Sequence, residues 1–187
     1  MRSLCFLILI LSVLLTAGIA ANVGQVIAVT VLSADLVSQT VFAKTVDGNK
    51  LTLRFSSQTP VTSLAQAGMN RSLHGGAGYQ FIVHYQVVQG EKVATAFHYI
   101  GREEWQKSTG ILVTADPGLR TILLKSDEGQ EEKFVAGQYC AVQTTSGAKL
   151  FGAWANQKTG EDRGIVYYTI IKNGKVAHLI EFSKGTE

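Results

Sequence analysis

The sequence predicts an all-β protein, a tandem duplication of two small five-stranded barrels of OB-like or SH3-like type. Three observations predict it. Val31-Leu32-Ser33-Ala34-Asp35 returns 81 positions later as Leu112-Val113-Thr114-Ala115-Asp116. Past a small insertion, Gly90-Glu91-Lys92-Val93-Ala94 aligns 83 positions on with Asn173-Gly174-Lys175-Val176-Ala177. Each unit is therefore roughly 75–80 residues, enough for a small core of its own and too long for one stacked solenoid element. Both halves are rich in β-branched and aromatic residues at period two, with turn signals between the runs.

In the first unit, 25–32 and 40–46 are the opening β-rich runs. Asp47-Gly48-Asn49 then turns the chain into 50–56, where Leu51, Leu53 and Phe55 face one way and Thr52, Arg54 and Ser56 the other. The stretch 60–78 breaks the alternation; it holds a short helix signal at 63–67 and the glycine-rich 75–78. Strands over 79–88 and 92–100 close the unit. The second unit repeats the order with strands at 110–115, 121–126, 130–136, 164–172 and 175–183, and an irregular middle segment at 144–163. The expected boundaries are a leader at 1–21, one barrel at 22–101, a linker at 102–108 and a second barrel at 109–187. Trp105, in that linker, is placed to pack between the barrels. Three strands, an irregular crossing and two more strands is the order of a five-stranded OB-type barrel. With the Asp-Gly-type hairpins and the Gly-Lys-Val-Ala closing strand, the chain resembles small OB-like modules of exported bacterial proteins. No residue roles come with that resemblance.

The first 21 residues read as an export signal. Arg2 supplies the basic start, residues 4–15 are apolar apart from Ser12, and Gly18 and Ala20 stand before a cut at Ala21. An oxidising destination and a single remaining cysteine, Cys140, leave no internal disulfide, so the cores alone must hold the barrels. Cys140 sits among apolar residues and is expected to be buried and inert. The net charge of +3 is spread without a basic run, so no nucleic-acid footprint is expected. After leader cleavage no membrane insertion is expected, and no cofactor is implied.

Metal binding is the sharpest chemistry the residues suggest. His84 and His98 fall on one face of the closing hairpin of the first unit, as diagonal cross-strand neighbours within reach of a shared ion. His74 could add a third ligand from the glycine-rich loop. The second unit has Tyr167 and Glu181 instead, so the pair is no part of the repeated plan. Asp35 and Asp116, equivalent to one another, end the first strand of each unit and are expected to bind the backbone of the following turn. No nucleophile elbow, Cys-His pairing or carboxylate dyad appears, so an enzyme is not expected. Phe151 and Trp154 in the second middle segment would anchor a partner if exposed. The expectation is an exported non-enzymatic binding or structural protein of the cell envelope or extracellular space, which contacts an unknown protein or envelope component through the irregular segments 60–78 and 144–163. The alternative is a periplasmic metal-handling protein using His84 and His98.

Overall fold

The computed structural model describes residues 24–62, 73, 77–156, 162–172 and 174–182. The leader, the helix signal at 63–67 and His74 lie outside them.

The first unit contains β1 (Gln25–Asp35), β2 (Thr40–Thr45), β3 (Lys50–Arg54), β4 (Val61–Thr62), β5 (Gln80–Val88) and β6 (Glu91–Gly101). Antiparallel pairing joins β3 to β2, β2 to β1, β1 to β5 and β5 to β6, and β3 then meets β6 in parallel at Arg54 and Val93. The second unit contains β7 (Gln106–Asp116), β8 (Thr121–Ser126), β9 (Glu131–Thr144), β10 (Gly147–Leu150), a short helix α1 (Phe151–Ala155), β11 (Asp162–Ile171) and β12 (Gly174–Phe182). Its ring runs β7-β8-β9-β12-β11, closed by the parallel β9–β12 pair. Two closed five-stranded barrels thus stand in tandem. Parallel pairing of the third strand with the last is the Greek-key closure of the OB-like alternative.

The duplication extends to backbone detail. The bulge between Val31 and Ser33 in β1 recurs between Leu112 and Thr114 in β7. That between His84 and Tyr85 in β5 recurs between Tyr167 and Tyr168 in β11. Left-handed residues also recur in pairs, Gln39 with Arg120 and Gln89 with Lys172. The Asx turns are as expected: Asp35 Oδ1 accepts from Val37 N at 2.8 Å and Asp116 Oδ1 from Leu119 N at 2.8 Å.

Each barrel has its own core. Val29, Val41, Leu53, Phe81 and Phe97 fill the first, and Leu112, Ile122, Phe134, Val166 and Ile180 the second. One substitution between the repeats explains much of the second core. Val29 pairs with Phe81 across β1 and β5, whereas the equivalent pair in the second barrel is Gly110 with Gly164. A side chain at either glycine would collide with backbone: a Cβ would lie 2.2 Å from Lys125 O or 2.8 Å from Glu181 O. Phe151 and Trp154 of α1 supply the missing bulk. They are 2% and 7% exposed, and Trp154 packs on Phe182, whose ring borders Gly164. Both rings therefore plug the barrel and offer no exposed anchor. Cys140 joins the same core, its thiol pushed up to about 12 by burial.

Strand β7 starts at Gln106, within the span expected as linker, and β9 runs to Thr144, well past the expected end at 136. The extension of β9 carries Tyr139, Ala141 and Gln143 to the candidate site described next.

Candidate functional site

A third apolar cluster lies between the barrels. Val26, Ala28 and Ile82 of the first barrel meet Ala141, Tyr167 and Leu179 of the second, with Trp105 packed against them. The outward faces of β1, β5, β9, β11 and β12 are apolar enough to form this seam because alternate residues point away from each barrel core. Polar contacts fix its register. Val26 N donates to Gln143 Oε1 at 2.8 Å, Ala148 N donates to Gly24 O at 2.9 Å, and Lys107 Nζ meets Asp47 Oδ1 at 2.6 Å. Ile82 and Ile165, equivalent residues, both face the seam, so corresponding outer faces of the two repeats look toward each other.

His84 and His98 stand at its edge. His84 pairs with Ala96 and Ile82 with His98, which makes the histidines diagonal neighbours on the outer face of the β5–β6 hairpin. Their ring centroids are 5.2 Å apart and their planes perpendicular. His98 also stacks on Tyr139 of the second barrel, with centroids 4.6 Å apart and planes 14° from parallel. Tyr139 lies in the part of β9 that the sequence pattern did not assign to a strand, so its place beside His98 could not be read from hairpin register.

The electrostatics favour neutral imidazoles. Burial lowers the His98 pKa to about 4, with a smaller contribution from His84, and burial alone lowers that of His84. Thr62 Oγ1 lies 3.3 Å from Phe97 O and 2.5 Å from His98 Nδ1. Thr62 thus holds the His98 ring through Nδ1, and Nε2 is the ring nitrogen that Thr62 does not engage. His84 Nε2 is buried and has no hydrogen-bond partner among the described residues. Two neutral imidazoles at this separation are a donor pair suited to a borderline-soft ion. Among the described residues no third histidine, cysteine or carboxylate completes a three-ligand group.

The second barrel carries a different polar pair at the same positions. Tyr167 Oη donates to Glu181 Oε2 at 3.0 Å, and burial, then repulsion from Asp47, raises the Glu181 pKa while the hydrogen bond acts against both. These two side chains line a seam pocket of about 180 Å³ with Asp47 and Asn49. The non-repeating partner of His84 and His98 is thus a tyrosine–carboxylate hydrogen bond in the same seam. His178 is buried, bonded to Thr169 Oγ1 at 2.9 Å and set edge-on to Trp105, which leaves it a satisfied core histidine.

The two most exposed large apolar residues of the described surface lie in hairpin turns. Val37 is 97% and Leu119 74% exposed in the β1–β2 and β7–β8 turns. Val87 and Val88 at the end of β5 correspond to Ile170 and Ile171 at the end of β11, and all four are exposed. No protein-family model matches the chain, and no curated protein matches it.

Proposed function

We propose that the protein is an exported, non-enzymatic binding protein of the periplasm, cell envelope or extracellular space. Its partner is a protein or envelope component held by the hairpins of two rigidly joined barrels. The observation that carries this reading is the repeated exposure of Val87-Val88 and Ile170-Ile171 at the same hairpin of both units. Single exposed apolar residues are ordinary, but β-branched pairs recurring at equivalent hairpin ends suit recognition by loops on a fixed scaffold. The leader-like start and the buried lone cysteine agree with an exported protein. The test is capture from the exported fraction of the source cells, using wild type and a variant with serine at 87, 88, 170 and 171. A specific partner retained by wild type and lost by the variant is expected. Every interaction surviving the four changes would contradict the assignment.

A second reading is supported by the bare Nε2 of His84 beside neutral His98: the seam as a two-histidine site for zinc or copper. Titration with either ion, followed by the imidazole resonances of the two rings, is expected to move both in wild type. Neither ion perturbing them, or equal binding by the His84→Ala/His98→Ala variant, would remove this reading.

A further inference from the structure

The outer face of β2 and β3 differs in charge from its counterpart in the second barrel. In the first barrel it presents three cross-strand pairs, Thr40–Arg54, Phe42–Thr52 and Lys44–Lys50. The matching pairs in the second barrel are Thr121–Val135, Leu123–Lys133 and Lys125–Glu131. Two like charges directly opposite on a sheet destabilise it, whereas the lysine–glutamate pair of the second barrel helps. The same contrast appears one strand away. Lys175 of the second barrel is ion-paired with Glu132, while its counterpart Lys92 has Leu51 in place of that glutamate and rests over the Tyr85 ring at 5.8 Å. The first barrel thus has Lys50-Leu51 where the second has Glu131-Glu132. No ion pair joins Lys44, Lys50 or Lys92 to a carboxylate among the described residues. Arg54 meets Glu91 at 3.0 Å, a contact more than half exposed at both ends and worth little on its own.

The shape of the face fits a ligand. Lys50, Thr52, Arg54, Gly90, Glu91 and Lys92 line a groove of about 380 Å³ between β3 and the β5–β6 hairpin. At ~3.3 Å per residue, Lys50 and Arg54 stand roughly 13 Å apart along β3. Between these cationic ends lies Phe42, a residue 48% exposed although its strand neighbours Val41 and Ala43 are fully buried. A cation at each end and one aromatic ring in the middle match an extended anionic chain with a flat apolar body. Strands two and three of OB-like barrels, with their flanking hairpins, are suited by shape to oligosaccharides and oligonucleotides. Single-stranded nucleic acid needs successive aromatic platforms, and this face offers one.

We infer that this side of the first barrel, from the outer face of β2 across to the groove beside β3, binds a linear acidic polysaccharide, with a sugar ring on Phe42 and its carboxylates or sulfates on Lys44, Lys50, Arg54 and Lys92. The inference rests on the reading of the protein as a binding protein and gives the first barrel its ligand class.

Lys50→Glu tests it sharply, because it restores the lysine–glutamate pair of the second barrel. Binding of the full chain to oligogalacturonate, to dextran sulfate, to neutral dextran and to oligodeoxythymidylate is measured at two salt concentrations. Wild type is expected to bind one or both acidic glycans, more weakly at high salt, and neutral dextran not at all. Oligogalacturonate against dextran sulfate separates a carboxylate ligand from a sulfated one. Lys50→Glu is expected to bind at least about tenfold more weakly with an unchanged or higher Tm, and Lys44→Glu and Phe42→Ala also to weaken binding, whereas Lys133→Ala in the second barrel leaves it unchanged. Absence of binding to both acidic glycans, equal binding by the lysine variants, or tighter binding of the oligonucleotide would overturn it. If the glycans fail while the hairpin-end partner is still captured, this inference falls and the binding reading stands; if both fail, both are wrong.

Discussion

A glycine at 164 removes from the second barrel the ring that Phe81 gives the first, and Phe151 and Trp154 restore it from another part of the chain. That exchange makes the two rings structural. Trp154→Ala is expected to cost about 3–5 kcal/mol, read as a fall in the denaturation midpoint, and a change of under about 1 kcal/mol would show that the ring is not needed to fill the barrel. The histidines give a second residue-scale prediction. The folded pKa values of His98 and His178 are about 4, below the ordinary value of 6.5, and that of His84 is lowered too. Between pH 6.5 and 4 the unfolded chain then binds more protons than the folded one, so stability falls as the pH falls through that window. Glu181, with its pKa raised, works in the opposite direction above its ordinary 4.5, one group against three. Tm is expected to drop steadily from pH 6.5 to 4, and His98→Phe, which keeps the stack on Tyr139, to reduce the slope. A wild-type Tm that is flat or rises on acidification would refute the burial of these rings.

At the scale of elements, the duplicated hairpins should respond alike to the same change. Gly48 and Gly129 sit at φ +88° and +83° in equivalent turns, a region that L side chains avoid. Gly48→Ala and Gly129→Ala are each expected to cost about 1 kcal/mol; a large cost at one and none at the other would mean that the turns are not equivalent in energy. The strands of these hairpins were legible because alternation and Asp-Gly turns are local signals. So was the diagonal placement of His84 and His98, which follows from hairpin register. The parallel closure of β3 on β6 was not, since it joins residues nearly forty positions apart across an irregular segment. Nor was the burial of Phe151 and Trp154, although a signal existed: Gly110 and Gly164 stand where Val29 and Phe81 stand in the first unit, and two missing core side chains call for bulk from elsewhere. The length of β9 was hidden because 137–144 mixes polar and small residues with its apolar ones, so that its outer residues find partners only in the seam.

At the scale of the whole molecule, Val26, Ala28, Ile82, Ala141, Tyr167 and Leu179 make the seam a third core, in which corresponding faces of the repeats meet. Period-two patterning shows that those faces carry apolar residues but not that they meet, because docking depends on the complete surfaces of two folded barrels. The seam also explains why His84 and His98 are desolvated: they face the second barrel. It turns two barrels into one scaffold, on which exposed hairpin ends and the cationic face of the first barrel hold fixed relative positions. Removing a central contact should uncouple them. Leu179→Asp places a charge within the seam and is expected to separate the unfolding of the two barrels. The most direct test is differential scanning calorimetry of the wild-type protein. A single endotherm whose calorimetric and van't Hoff enthalpies agree is the predicted result. Two resolved transitions in the wild type, or a single one whose van't Hoff enthalpy is about half the calorimetric one (the mark of two units unfolding independently), would contradict a seam that joins the barrels within one chain.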